Sequence, residues 1–288
     1  MNVRSYVEVT KPKLVFLLVF TSLGAMIVSA SRSSLPCAPA VLLSGAAVAV
    51  AASAGCNVLT SYIDRDIDAV MTRTKGRPLT SGRIDPPEKA LYMGFALIVA
   101  ALVSAGMRNL LSFLCVLLGV LDNVVVYSLM TKRRSPLNIV LGGFSGGLAP
   151  LFGWVYVADS ISLTAILIAG TVVLWIPSHI WALAIYYRSD YRRARVPMLP
   201  VVVGAEKAIR CMVSTVILLL FFSIALYIYG GFGPIYLWSS LVSGLFVLMG
   251  HLYLFLRPSP KLAWRMFKAS SPYLLILFTA MIIDSLVS

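Results

Sequence analysis

Three of the eleven acidic residues of this chain fall within five positions: Asp64, Asp66 and Asp68. Asp64 and Asp68 are four residues apart, so on a continuing helix their side chains share one face. Two carboxylates at that spacing repel each other, and a divalent cation would offset the repulsion. Mg²⁺ binds carboxylate oxygens and commonly bridges them to substrate phosphates. The segment therefore predicts a Mg²⁺ site that acts on a phosphorylated substrate.

A stripe of polar residues leads up to these aspartates. Thr60 lies one helical turn before Asp64 and Asn57 two turns before it, within an apolar run. Polar groups at that depth in a membrane helix usually face a cavity or the interior of the bundle. The alternative is a helix end solvated by lipid headgroups, with Arg65 and Arg73 as the partners of the acids.

Basic residues follow the acidic segment in the stretch RTKGRPLTSGR, which runs from Arg73 to Arg83. Arginine offers a bidentate fork to phosphate oxygens, and lysine offers a mobile point charge. Cations this close to carboxylates suit a doubly charged group such as a diphosphate.

A second polar cluster lies later in the chain. Pro177 is expected to break the helix that contains it, and His179 stands about three turns before Asp190. The histidine either forms a hydrogen bond between helices or contacts a ligand. Asp122 lies within another apolar run, where a hydrogen-bonded contact inside the bundle is expected.

The composition shows which kind of protein must position these residues. Hydrophobic residues make up 59% of the 288-residue chain and charged residues 12%, against about 25% charged residues in a typical soluble domain. The chain is therefore expected to lie in a lipid bilayer. Although the net charge is +13, no basic stretch is interleaved with aromatic residues, so no nucleic-acid partner is expected.

The apolar runs predict an all-α fold, a polytopic membrane bundle of nine transmembrane helices that forms one domain over residues 1–288. The predicted helices are residues 14–30, 38–62, 90–107, 110–130, 139–157, 161–185, 209–229, 235–256 and 269–287.

The basic residues predict the orientation of this bundle. With nine helices, all but Arg32 and Arg108 of the 24 lysines and arginines fall on one side. Because cytoplasmic loops carry an excess of Lys and Arg, that side is expected to be the cytoplasm, at the cell membrane. The N-terminus and both acidic motifs would then be cytoplasmic.

The motifs resemble those of a known family. Residues 62–82, YIDRDIDAVMTRTKGRPLTSG, resemble the first aspartate-rich signature of the UbiA superfamily of membrane prenyltransferases. Within it, the chain most resembles the protohaem IX farnesyltransferases (haem O synthases). The further matching stretches are TKPK at 10–13, YSLMTKRRSPLN at 127–138, WIPSH at 175–179, DY at 190–191 and PMLPVV at 197–202. The resemblance extends from about residue 5 to residue 270.

The resemblance implies nine helices around a central cavity, with the acidic motifs capping it on the cytoplasmic side. It also implies a reaction: transfer of a farnesyl group from farnesyl diphosphate to a vinyl group of haem b, with hydration, to give haem O. The sequence departs from the family pattern at Thr60 and Gly76, where the family carries asparagine. It departs again at Ser189, where relatives often carry an acid.

Roles for individual residues follow from this resemblance and from charge. Asp64, Asp68 and Asp190 are the expected catalytic and Mg²⁺-binding residues, since a metal ion stabilises the charge that develops on a departing diphosphate. The cations expected to bind the diphosphate are Lys11, Lys13, Arg73, Arg77 and Lys132. His179 is the candidate haem contact, because imidazole is a usual axial ligand of haem iron.

Three other interpretations are open on the sequence alone. A related prenyltransferase would act on a quinone ring or an archaeal lipid, although the histidine after Pro177 and the PMLPVV segment favour haem. A cation-coupled transporter would use the acidic stripe for ions and would show inverted repeats. An inactive haem-handling scaffold would explain Thr60 and Ser189.

Overall fold

The computed structural model describes residues 3–35 and 38–287, and within these it is helical, without strands. The helices are α1 (Val3–Val9), α2 (Pro12–Arg32), α3 (Pro39–Ile63), α4 (Arg65–Val70), α5 (Glu88–Arg108), α6 (Leu110–Val120), α7 (Asn138–Leu141), α8 (Phe144–Ala158), α9 (Leu163–Tyr186), α10 (Arg188–Arg193), α11 (Leu199–Val202), α12 (Ala205–Gly230), α13 (Pro234–Leu256) and α14 (Pro260–Val287). A π-helix, Leu121–Thr131, continues α6.

Nine segments of the described chain are long and apolar enough to cross a membrane. They are α2, α3, α5, α6 with the π-helix, α7 with α8, α9, α12, α13 and α14. The predicted all-α, multi-pass membrane bundle is thus confirmed. Most predicted helix boundaries lie within a few residues of the observed ones, because charges and helix breakers separate the apolar runs.

The predicted start of the last helix was wrong. Residue 269 was expected, but α14 begins at Pro260, where proline's fixed φ suits the first helical turn. The extra turns are amphipathic: Arg265 and Lys268 are exposed, whereas Trp264 and Phe267 are partly buried. A hydropathy plot does not detect such turns, because lysine and arginine side chains keep their charged ends in water while neighbouring side chains pack against the bundle.

The predicted break at Pro177 was also wrong, because α9 runs through it without interruption. Membrane helices tolerate proline where side chains and neighbouring helices satisfy the freed backbone groups. Proline also lies inside α8, at Pro150, and inside α14, at Pro272.

Small residues bring the helices into close contact. α2 packs against α8, where the Ser22 hydroxyl donates to the Ala149 carbonyl at 2.7 Å and a Cβ on Gly153 would collide with the Ser22 carbonyl. α3 packs against α5 through Gly55 and Gly94 in the same way. Without a hydrophobic driving force between helices in lipid, close backbone approach at small residues stabilises their association.

Asp122 forms the expected contact inside the bundle. One of its carboxylate oxygens accepts a hydrogen bond from the backbone N–H of Ser145 at 2.7 Å. Ser145 lies in the first turn of α8, after the break at Gly142 and Gly143 that separates α7 from α8. Asp122 therefore satisfies a free backbone donor at a helix N-terminus from a neighbouring helix.

The close approach of α2 and α8 gives a stability prediction. Gly153→Ala is expected to destabilise the bundle by about 1–3 kcal/mol, because the added methyl group meets backbone rather than a movable side chain. The loss is measured as a lower midpoint of thermal unfolding in detergent. Gly119→Ala is the control, since its new Cβ would lie 3.9 Å from Leu148. Equal midpoints for the two variants would contradict this packing.

Candidate active site

The first two aspartates lie at the end of the second spanning helix. α3 ends at Ile63, so the long helix does not continue as expected. The backbone N–H of Asp68 nevertheless donates to the Asp64 carbonyl at 2.8 Å, which preserves one helical turn between them. Asp64 and Asp68 are 3% and 4% exposed. Carboxylates this deeply buried require compensating charge.

Lys132 compensates Asp64. Its ammonium group lies 2.5 Å from Asp64 Oδ2 and 5.4 Å from the centre of the Tyr127 ring. The π-helix positions it, since the Lys132 N–H donates to the Tyr127 carbonyl five residues back at 2.8 Å. The π-helix extends over 11 residues, and π-helical geometry is frequent at functional sites. The other carboxylate oxygen, Asp64 Oδ1, is buried and has no hydrogen-bond partner.

Arg77 compensates Asp68 from the loop that follows α4. Its guanidinium lies 2.6 Å from Asp68 Oδ2. The Thr74 hydroxyl donates to the Asp68 carbonyl at 2.9 Å, which fixes the fold of this loop. Lys132 and Arg77, both predicted diphosphate ligands, are therefore held beside the carboxylates in this structure.

Asp190 lies on α10, and its carboxylate bonds to Arg193 one turn later. It also accepts a hydrogen bond from the backbone N–H of Arg73 at 3.3 Å, so the second acidic motif contacts the loop that follows the first. Burial raises the pKa of Asp190, but hydrogen bonds from Arg73, Thr72 and Arg193 outweigh it and hold the pKa below its usual value. The carboxylate is therefore ionised.

Hydrogen bonds to the backbone explain part of the polar stripe formed by Asn57 and Thr60. The Asn57 side-chain amide donates to the Thr10 carbonyl at 3.0 Å, which holds the turn before α2. In that turn Lys11 adopts a left-handed conformation, φ 56°, which costs a non-glycine residue about 1–3 kcal/mol. Thr60 donates to the Asn57 carbonyl at 3.2 Å. Asn57 therefore acts on the site by positioning the segment that carries Lys11.

The two N-terminal lysines differ in their surroundings. Lys11 is partly buried and Lys13 is exposed. Burial is the largest cause that lowers the pKa of Lys11, to about 7, and the positive charges of Arg77 and Lys132 lower it further. Lys11 therefore lies within the electrostatic reach of the same cluster. Of the two predicted candidates, the structure brings only Lys11 to the carboxylates.

Neither Arg65 nor Arg73 pairs with an aspartate side chain among the described residues. Arg65 lies over the Tyr62 ring at 4.6 Å, and Arg73 lies over the Tyr187 ring at 5.5 Å. The alternative that gave these two arginines as the partners of the acids was wrong.

Asp66 belongs to a separate, exposed pair. Both of its carboxylate oxygens accept hydrogen bonds from Arg133, at 2.6 and 2.7 Å. Its side chain therefore points away from the buried carboxylates on either side of it in the sequence.

His179 is enclosed between α9 and α14. Its Nδ1 lies 2.6 Å from the Ser270 hydroxyl, and its ring stacks between Trp175 and Phe267, each 4.3 Å away. Ser270 on α14 is thus the partner in the predicted hydrogen bond between helices. The haem-contact role of His179 stays a prediction.

The carboxylates offer a partial fit to Mg²⁺. Within residues 3–35 and 38–287, no three acidic, histidine or cysteine side chains converge as a preformed metal site, because each aspartate is drawn to its own cation. Asp64 Oδ1, buried without a partner, is an available hard oxygen ligand, and Asp68 shares its helical turn. The two oxygens of Asp190 bond to Arg193 and Arg73, so its metal role stays a prediction.

Sequence reasoning missed two basic residues that pair with aspartates of the acidic motifs. Arg193 is three residues after Asp190 on α10, and the i,i+3 spacing could have revealed the pair. Arg133 pairs with Asp66 across 67 positions, and no local signal in the sequence predicts that pairing.

The Lys132–Asp64 pair gives a prediction about stability. Lys132→Met should destabilise the protein by about 3–5 kcal/mol, because Asp64 then becomes a buried charge without a partner. Adding Asp64→Asn should recover most of that loss, as measured by thermal unfolding in detergent. Arg133→Met, in the exposed pair with Asp66, should cost less than about 1 kcal/mol. Equal losses for the two single variants would contradict the burial of the first pair.

The model of the UbiA prenyltransferase family matches residues 17–280. A protein of Desulforudis audaxviator (strain MP104C) named protoheme IX farnesyltransferase is 46% identical over 281 residues, 98% of this chain and 88% of that protein.

Two solved structures share the fold. A digeranylgeranylglyceryl phosphate synthase has a TM-score of 0.80 at 20% identity and covers 99% of each chain. A UbiA homologue from Archaeoglobus fulgidus, bound to DMAPP and Mg²⁺, has a TM-score of 0.63 at 17% identity and covers 96% of this chain and 99% of its own. The chain therefore belongs to the UbiA prenyltransferase family.

Proposed function

We propose that this protein transfers a farnesyl group from farnesyl diphosphate to a vinyl group of haem b, giving haem O. The main observation behind this proposal is the buried cluster at one end of a UbiA-type bundle. In this cluster Lys132 pairs with Asp64, and Arg77 pairs with Asp68. The relative at 46% identity named for farnesyl transfer to protohaem supports the acceptor.

The basic and the acidic residues of the cluster have different roles in the ionisation of an allylic diphosphate. Lys132, Arg77 and Lys11 stabilise the negative charge that develops on the leaving group, because cations in a site of low dielectric interact strongly with that charge. Lys132 and Arg77 are held by Asp64 and Asp68. They are thereby already positioned at the place where the diphosphate must bind.

In the proposed reaction, Asp64 and Asp68 would hold Mg²⁺. When bound, the ion would add Lewis-acid stabilisation of the leaving diphosphate oxygens. The solved homologue with DMAPP and Mg²⁺ supports this choice of metal. With Asp64 and Asp68 holding the ion, Lys132 and Arg77 would be available to contact the diphosphate.

We also propose an orientation of the chain in the membrane and a single-domain organisation. The chain acts as one membrane domain over residues 1–288, with its N-terminus and the acidic cluster on the cytoplasmic side. The distribution of the 24 lysines and arginines supports this orientation. Membership of a prenyltransferase family, matched over residues 17–280, argues against the transporter interpretation.

Analysis of haem after co-expression tests the proposed reaction. Mass spectrometry of extracted haem should show a farnesylated, hydrated product that depends on this protein. Asp64→Asn and Asp68→Asn should each reduce the product at least about a hundredfold, because a ligand to the proposed metal is lost. Asp66→Asn, which removes the exposed acid between them, should leave turnover within a few fold. Prenylation of a quinone or lipid acceptor with unmodified haem would refute the haem acceptor.

The lowered pKa of Lys11 predicts a pH dependence. With a pKa of about 7, its cation is present below that value and is lost as the pH rises through it. The kcat/KM for farnesyl diphosphate, which reports groups of the free enzyme, should therefore fall as the pH rises through about 7. Lys11→Arg, which stays charged, should flatten this part of the profile. The control is Lys89→Arg at an exposed position, and an unchanged profile in Lys11→Arg would contradict this role.

A further inference from the structure

A continuous column of aromatic rings runs along the interface of α9 and α14. Trp175 stacks on His179 at 4.3 Å, and His179 stacks on Phe267 at 4.3 Å. Phe267 stacks on Trp264 at 5.1 Å, and Trp264 stacks on Tyr186 at 4.9 Å. Neighbouring rings are tilted by only 20–30° or so. The stacked rings therefore form a continuous series from the buried His179 to the surface.

The column ends in an open corner made of three rings. Tyr186 is 40% exposed, and its ring is nearly parallel to that of Trp264. Tyr187 stands edge-on to both rings, at 4.8 Å from Tyr186 and 5.9 Å from Trp264. We call these three residues the aromatic corner. Because Trp264 lies between the rings of Phe267 and Tyr186, a flat apolar ligand can stack on the outer face of Tyr186 rather than on Trp264.

Basic groups flank the aromatic corner. The Lys268 ammonium lies 5.8 Å from the centre of the Trp264 ring. Arg188 follows Tyr187 directly, and together with Tyr186 and Pro258 it lines a cavity of about 300 Å³. Its Nε is buried and has no hydrogen-bond partner, and none of the residues that line the cavity is acidic. A buried cationic donor without a partner favours an anionic ligand.

The aromatic corner adjoins the carboxylate cluster. The Arg73 guanidinium lies over the Tyr187 ring at 5.5 Å, while the Arg73 backbone N–H donates to Asp190. Arg73 thus contacts the corner with its side chain and the second acidic motif with its backbone. A ligand on the corner would lie next to the cations that bind the diphosphate.

We propose that Tyr186, Tyr187 and Trp264 form the docking surface for the acceptor, a planar tetrapyrrole with two carboxylate groups. The macrocycle stacks on the outer face of Tyr186, which Trp264 supports from the other side, and Arg188 and Lys268 pair with its carboxylates. This inference rests on the proposed function, since haem b has both features. In this arrangement His179 is a positioning residue that supports the column from within, and the iron needs no protein ligand there.

Trp264→Leu and Arg188→Gln test the docking surface in the full-length protein in detergent. Each should raise the KM for haem about tenfold and weaken haem binding equally in a Soret-band titration, because the ring that supports Tyr186 or a charged contact is lost. The KM for farnesyl diphosphate should stay unchanged. Trp238→Leu, at an exposed tryptophan of α13, is the matched control and should behave as wild type. Thermal unfolding confirms that each variant is folded.

The outcomes separate this inference from the proposed function. If wild type farnesylates haem and Trp264→Leu has unchanged haem affinity and KM, the docking surface is wrong and the function stands. A rise in both KM values would also refute it, since the effect would then extend to the donor site. If wild type transfers no farnesyl group to haem, the proposed function fails regardless of the variants.

Two modified ligands test the separate contacts. The dimethyl ester of haem, which lacks free carboxylates, should bind wild type about as weakly as haem binds Arg188→Gln. Equal affinity of wild type for haem and its ester would refute the carboxylate contacts. Protoporphyrin IX without iron should still bind, with loss of affinity in Trp264→Leu. Binding that requires iron and is abolished in His179→Ala would instead establish a histidine ligand.

Discussion

The pairing of buried carboxylates with cations from distant parts of the chain is the interaction on which this structure depends. Asp64 and Asp68 are almost fully buried and would be too costly to keep ionised there without a counter-charge. Lys132 comes from the end of a π-helix, and Arg77 from a loop that folds back over α4. The bundle must therefore close correctly before the site exists, and the same charges then serve both folding and the proposed chemistry.

Helix packing holds these charges at one end of the bundle. Glycine and serine contacts bring α2 against α8 and α3 against α5, and these contacts stabilise helices in lipid, where apolar burial contributes little. The connections at the acidic end are then free to contact one another. Asn57 fixes the turn that carries Lys11, while Arg73 joins the first acidic motif to Asp190.

The proposed donor and acceptor sites differ in their physical character. The carboxylate cluster is charged, and in our proposal it binds a metal ion and a diphosphate through electrostatics. The aromatic corner is apolar and orients a flat molecule through stacking, with Arg188 beside it for an acidic group. Arg73 touches both regions. Such an arrangement would hold the two substrates next to each other, which makes their reaction effectively unimolecular.

Local sequence patterns were sufficient to predict the membrane class, the spanning helices and the acidic motifs, because apolar run length and charge spacing are local properties of the chain. The spacing of Asp64 and Asp68 predicted that they share a metal site, and Lys132 was added to that site from the resemblance and from its charge. Tertiary structure alone decided that Lys132 pairs with Asp64 across 68 positions, and that His179 is enclosed by Trp175 and Phe267. It also decided that α9 passes through Pro177. These features depend on which helices pack together, and local patterns carry no information about contacts between distant segments.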